Sequence, residues 1–290
     1  NLPAYRRSFE TRSGLSITKA RLYCSALGVY ESYINGHRVG RRLDNGSIVY
    51  DELKPGYTQM EDRKFYSTFD VTWMLQSGRE NVLSSVVTSG WWNGLAVQFR
   101  MPEELIFHEN AYLAKLVITY SDGSVQIIDT DESWRAGRAA AVLEGTGLWE
   151  GEVYDAGTDQ SWMLPGFDDS GWSDIKENTE FSGEICAWKG VPVRIRSDLE
   201  RTAKRITVYQ GAVDVNDDCY GKINIVKEYT DFDSDGVKLM PGQTLLVDFG
   251  QNFAGWELLK LKTTHGTRID VKHGEMVNDY NGKKTRGNMG

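Results

Sequence analysis

The feature that most restricts this chain is a repeated grammar of short alternating runs closed by turn dipeptides. Asn35-Gly36 stands between Tyr33-Ile34 and Val39, and Asp122-Gly123 stands between the runs Tyr112 to Tyr120 and Val125 to Thr130. Both dipeptides accept the positive φ angles of a two-residue hairpin turn, so each predicts two antiparallel strands in fixed register. The run Tyr5 to Phe9 alternates, and in Ile17 to Leu27 the side chains of Leu22, Cys24 and Ala26 share one face. Near the C-terminal end, Leu245 to Val247 meets a corner at Gly250-Gln251-Asn252 and leaves through Gly255-Trp256 into a second run, Glu257 to Lys262. That is a strand, a tight connection and a returning strand. No stretch sustains a 3.6-residue apolar period, so the fold class is all-β, with two consecutive β-sandwiches at 1–193 and 194–290. Lys189-Gly-Val-Pro-Val193 is the link between them.

With 290 residues, 40% hydrophobic and 26% charged, the chain can bury two ordinary cores. A net charge of −8 and the lack of any Lys/Arg cluster exclude nucleic acid and anionic membranes as partners, because both demand a concentrated positive face. No apolar run reaches spanning length, so no membrane insertion is expected. Cys24, Cys186 and Cys219 are widely spaced and odd in number, which writes neither a disulfide framework nor a zinc site. Nine Trp and fourteen Tyr are plentiful. Such rings fill large sandwich cores, the role expected of Trp134, or offer flat platforms to sugars.

Familiar short motifs fail on context. Asp248-Phe-Gly250 spells the kinase magnesium tripeptide without the other kinase elements. His108-Glu-Asn-Ala-Tyr112 lacks the second His of a zinc peptidase, and Gly145-Thr-Gly147 with Gly151 misses the dinucleotide spacing. Asp231-Phe-Asp233-Ser-Asp235-Gly236 opens like a calcium loop, yet its twelfth position is Gly242 where a bidentate Glu belongs.

The stretch Asp248-Phe-Gly-Gln-Asn-Phe-Ala-Gly-Trp256, followed by Gly266-Thr267, His273-Gly-Glu275 and Asn281 to Arg286, resembles the segment just before the catalytic domain of bacterial α-L-rhamnosidases, glycoside hydrolase family 78. Upstream, the resemblance continues through Leu22-Tyr23, Tyr33 to Gly40, Pro55-Gly-Tyr-Thr58, Phe65 to Val71, Gly90-Trp-Trp-Asn-Gly94, Asp131 to Trp134, Trp149 to Ala156 and Phe167 to Trp172. Arg41 to Lys54 exceeds the usual family connection and reads as a surface insertion. The resemblance implies a galactose-binding-like jelly roll followed by a concanavalin-like sandwich, with the sequence ending before the family's helical (α/α)6 catalytic barrel. It implies hydrolysis of terminal α-L-rhamnosides with inversion, which needs a general acid and a general base on that barrel. No catalytic residue is therefore assigned to this chain. The expected role is a non-catalytic accessory region, with a stand-alone lectin-like module or a structural spacer as alternatives. Its expected partners are rhamnose-containing glycans and the helical catalytic domain. The compartment stays open, with periplasmic or extracellular favoured over cytoplasmic.

The resemblance also implies a site. Some jelly rolls of this type hold rhamnose beside calcium, using an acidic/amide pair after the Pro-Gly-Trp-Thr motif. Here Glu61 and Asp62 take that place as metal ligands, although they depart from the Asp-Asn of binding members, and the loop at Glu109-Asn110 approaches from the other side. Hard oxygen ligands suit calcium, which can bridge to vicinal sugar hydroxyls. The remaining carbohydrate-binding candidates are Trp91, Trp92, Asn110, Trp149, Glu152 and Tyr154. Adjacent residues of a strand point to opposite faces, so one of Trp91 and Trp92 is expected to face ligand and the other the core.

Overall fold

A computed structural model describes residues 2–59, 62–93, 109–138, 140–145, 151–214, 221–230 and 236–274. The chain divides into two compact units, Asn1–Arg194 and Ile195–Gly290.

Unit 1 holds fifteen strands among its described residues: β1 (Ala4–Glu10), β2 (Ile17–Leu27), β3 (Val29–Ile34), β4 (His37–Arg38), β5 (Arg41–Arg42), β6 (Ile48–Val49), β7 (Arg63–Asp70), β8 (Glu80–Thr88), β9 (Ala111–Tyr120), β10 (Val125–Asp129), β11 (Arg135–Gly137), β12 (Val142–Gly145), β13 (Glu152–Tyr154), β14 (Ser173–Asp174) and β15 (Glu184–Ala187). Two sheets face each other as a sandwich. One runs β14-β11-β1-β8-β3-β4 and the other β10-β9-β2-β7-β15, with β12-β13 and β5-β6 as separate hairpins. Pairing is antiparallel except where β15 lies parallel to β7.

Period-two alternation decides which side chains enter the space between the sheets. Along β3, Tyr30, Ser32 and Ile34 are buried while the residues between them are half-exposed. On β2, Leu22 and Cys24 meet Leu116 and Ala114 of β9, and they join Phe69, Leu83, Ile118 and Trp134 in one core. Each large apolar side chain removed from water there contributes about 1.5–3 kcal/mol. The Asn35-Gly36 turn takes φ values of 50° and 81°, as a two-residue hairpin requires, and pairs Tyr33 with Arg38. The hairpin at Asp122-Gly123 joins β9 to β10 through a three-residue loop, 121–123, in place of the expected two-residue turn: Tyr120 N–H donates to Ser124 O at 3.0 Å, and of the dipeptide only Gly123 takes a positive φ, 81°.

Outside the sandwich, residues 161–172 lie over the outer face of the six-stranded sheet. Trp162 is fully buried there, and the Trp172 ring sits where a Cβ on Gly137 would be. The segment 41–54 is only partly the surface insertion expected of it. Its tip forms the β5-β6 hairpin, but Asp51 and Lys54 are buried, and Asp51 binds Arg41 and Arg194 at 2.7 Å each.

In unit 2, β16 (Arg205–Asp214) is flanked by β17 (Gly221–Tyr229) and β18 (Thr244–Asp248). Strand β18 covers the expected run at Leu245 to Val247. The expected return along 257–262 is not a strand, since it pairs with no other strand among the described residues. It is nevertheless one arm of a turn in which Thr267 N–H bonds to Thr264 O at 3.2 Å, and Glu257 meets His273 across the arms at 2.5 Å.

Candidate functional site

One end of the unit 1 sandwich gathers several of the residues nominated from sequence. β2 finishes there at Leu27, β9 begins at Ala111, and between β8 and the next segment the chain makes a single helical turn, α1 (Gly90–Asn93). Gly90 makes this turn possible: its φ is +45°, and a Cβ would fall 2.2 Å from the Val29 side chain. The turn corrects the strand-like geometry assumed for the Trp pair, yet it still separates the two rings.

Trp92 packs with Leu27 in a small buried cluster that Trp91, Ala111 and Phe181 flank, and its indole N–H donates to Glu109 O at 3.2 Å. The Lys64 ammonium lies 4.2 Å from the centroid of the Trp92 ring and 5.9 Å from that of Phe181. Burial holds the Lys64 pKa down to about 8. Trp91 is half-buried and meets the Tyr57 ring at 5.7 Å and 71°. Its own N–H is buried without an acceptor, as is the Asn110 side-chain oxygen without a donor. Trp91, Trp92 and Asn110 thus border one cluster or adjoin its members.

The other nominated residues lie elsewhere. Asp62 is exposed, and its backbone ties Gln59 (3.2 Å) to Glu184 (2.8 Å). Glu152 and Tyr154 sit on β13, and Tyr154 is 61% exposed. Tyr154 is close enough to Tyr33 to act on it: burial chiefly, then Glu31, and in smaller part Tyr154, push the Tyr33 hydroxyl up to about 12. Glu61 and Trp149 fall outside the described residues. Among the described residues no group of three or more His, Cys, Asp or Glu side chains is arranged to hold a metal. Of the nominated metal ligands Glu61 and Asp62 only Asp62 is described, one carboxylate where calcium takes six to eight oxygens.

Two features escaped the sequence reading. The first is Tyr57, 55% exposed beside Trp91. The second is an ion network on the outer side of β3. Arg38 forks onto Glu31 at 2.8 and 2.7 Å, reaches Glu52 at 2.6 Å and stacks 4.5 Å over Tyr50, while Lys54 bonds Glu31 at 3.0 and 3.1 Å. Glu31 and Arg38 lie diagonally across the Asn35-Gly36 hairpin, so that register was the available signal.

Comparison with known proteins places this architecture. Residues 15–197 match the model of the alpha-L-rhamnosidase N-terminal domain, and 238–289 match that of the bacterial alpha-L-rhamnosidase concanavalin-like domain. The α-L-rhamnosidase of Streptomyces avermitilis is 31% identical over 264 residues, which is 90% of this chain and 21% of that protein. The Alteromonas sp. enzyme is 26% identical over 263 residues, 90% of this chain and 24% of its own length. A solved S. avermitilis α-L-rhamnosidase in complex with L-rhamnose superposes with a TM-score of 0.58 at 25% identity, covering 86% of this chain and 26% of that one. The chain thus spans about a fifth to a quarter of the length of these relatives. The matched models and the two β units together show that the chain belongs to the bacterial α-L-rhamnosidase family of glycoside hydrolases, as a counterpart of its N-terminal and concanavalin-like domains.

Proposed function

We propose that this chain is the non-catalytic accessory region of an α-L-rhamnosidase, and that unit 1 holds rhamnose-containing glycans while a helical catalytic domain of the same protein hydrolyses terminal α-L-rhamnosides with inversion. The observation that carries this reading is the 31% identity to an α-L-rhamnosidase across 90% of the chain. Inverting hydrolysis needs two carboxyl groups about 6.5–9.5 Å apart around a water. No carboxyl pair of this chain is assigned that work. The role proposed for unit 1 is to bind and position sugar near the Trp91, Trp92 and Asn110 end. Calcium held by Glu61 and Asp62 beside the sugar belongs to the same proposal, since hard carboxylate oxygens suit that ion.

Isothermal titration of the 290-residue chain with L-rhamnose, with and without calcium, tests the binding role. Dissociation constants from millimolar to high micromolar, on the order of −4 to −6 kcal/mol, are expected, because a neutral monosaccharide exchanges water hydrogen bonds for protein ones at small net gain. Asp62→Ala should remove the calcium dependence. Release of p-nitrophenol from its α-L-rhamnoside by the purified chain would contradict the non-catalytic assignment.

A further inference from the structure

Tyr57 projects from a segment fixed on both sides. Before it, the Lys54 carbonyl accepts from Tyr30 N–H at 3.1 Å, and the Lys54 ammonium is buried against Glu31. Gly56 donates to Leu53 O at 2.9 Å with φ at +88°, and the Trp188 ring occupies the space a Cβ would need, 2.7 Å away. After it, Thr58 Oγ1 donates to Arg63 O at 2.6 Å. These ties hold the backbone, and none of them involves the Tyr57 ring. The ring is left more than half in water, where it adds little to the core.

What it does have is a neighbour at a right-angle-like tilt. The Tyr57 and Trp91 rings, 5.7 Å apart and 71° from coplanar, make an aromatic corner. Trp91 is half-buried against the Leu27/Trp92 cluster, so it acts as the wall and Tyr57 as the open floor. A pyranose ring has one face of C–H groups, and a 6-deoxy sugar extends that apolar surface with a methyl. Such a surface fits an aromatic floor bounded by an aromatic wall. The immobilised backbone means that little loop entropy is lost on binding.

We propose that Tyr57 is a ligand-contacting residue of unit 1, the stacking platform for the C–H face of a neutral 6-deoxypyranoside, with Trp91 positioning it. This rests on the reading of unit 1 as a rhamnoside-binding region and supplies the surface on which the sugar lies. The probe is methyl α-L-rhamnopyranoside, titrated calorimetrically into the 290-residue chain and into Tyr57→Ala and Tyr57→Phe. Tyr57→Ala should weaken binding at least tenfold, and Tyr57→Phe, which keeps the ring, should stay within threefold of the parent. Near-ultraviolet circular dichroism and the melting temperature of Tyr57→Ala should stay close to the parent's, since the ring is exposed. If the parent binds and Tyr57→Ala binds equally well, the platform is overturned while rhamnoside binding stands. Loss of binding in Tyr57→Phe as large as in Tyr57→Ala would also overturn it, because the ring would then not be the operative part. A parent chain that takes up no rhamnoside removes both readings.

Discussion

Arg6 on β1 donates its Nε hydrogen to the carbonyl oxygen of Trp162 at 2.9 Å, joining the sandwich to a segment 156 positions away. The same guanidinium, 1% exposed, reaches Leu164 O at 3.4 Å, pairs with the Asp169 carboxylate and lies 5.3 Å from the Phe167 ring centroid. One buried fork therefore fastens the covering segment to the outer face of the sheet. Arg6→Ala would strand the carbonyls of Trp162, Leu164 and Phe167 and one partly buried carboxylate, at a cost of about 2–4 kcal/mol. Arg6→Lys should recover less than half, since an ammonium cannot fork. Urea denaturation followed by tryptophan fluorescence measures both.

Asn35 serves the backbone and three partners at once. Its φ is +50°, its Oδ1 accepts from Val82 N–H at 2.9 Å, and its Nδ2 donates to Met74 O at 3.1 Å and Asn81 Oδ1 at 2.9 Å. Asn35→Ala loses those bonds and adds strain at a positive φ, so a loss of about 2–4 kcal/mol is expected. Asn35→Gly relieves only the strain and should lie between Ala and the parent by roughly 1 kcal/mol. Thermal or chemical melts of the two variants separate the contributions. Equal stability of Ala and Gly would mean that the side-chain bonds account for the whole effect.

The hairpins were legible because a turn is local: Asn35-Gly36 takes positive φ at both positions, Gly123 takes it at its own, and the flanking alternation sets the face. The run read as 17–27 is β2 from end to end. The returning run at 257–262 failed for a non-local reason. Alternation of Leu259 and Leu261 tells which face is apolar, but strand pairing depends on a partner that periodicity cannot name. The same limit hid Tyr57. Its partner Trp91 is 34 positions on, and the ties at Lys54 and Thr58 that hold the backbone depend on Glu31 and Arg63. Trp92, by contrast, became the buried member of a pair in which sequence reasoning expected one ring to face inward.

Cysteine reactivity should divide sharply between the two described thiols. Cys24 is fully enclosed; burial pushes its pKa up to about 11, partly offset by its contact with the Tyr30 hydroxyl at 3.3 Å. Cys186, on β15, is half-exposed. At pH 8 the thiolate is the nucleophile, and Cys24 is both protonated and inaccessible. Iodoacetamide followed by peptide mass mapping should label the Cys186 peptide of the folded chain and leave the Cys24 peptide unmodified until denaturant is added. Rapid native labelling of Cys24 would mean that the core around Tyr30 and Tyr112 opens readily.

Alkaline pH should stabilise unit 1 through Lys64. Its folded pKa is near 8, lowered by burial, whereas an unfolded lysine titrates near 10.4. Between those values the unfolded chain binds more protons than the folded one, so unfolding free energy rises with pH. Below pH 8 both states are protonated and the contribution is lost. From pH 8 to 10 the gain is about 2 kcal/mol at most. Above pH 10 the trend reverses, because burial raises the pKa of the Tyr30 and Tyr112 hydroxyls, and their ionisation then favours the unfolded chain. Lys64→Met keeps a comparable apolar stem beside Trp92 and removes the titrating group. Cys24 opposes this trend, because burial holds its folded pKa up to about 11 while the unfolded thiol ionises first and favours unfolding above about pH 9. Urea midpoints measured at half-unit steps from pH 7 to 10 should therefore rise for the parent relative to Lys64→Met, whose own midpoint should fall above about pH 9. A parallel climb in both proteins would assign the slope to another group.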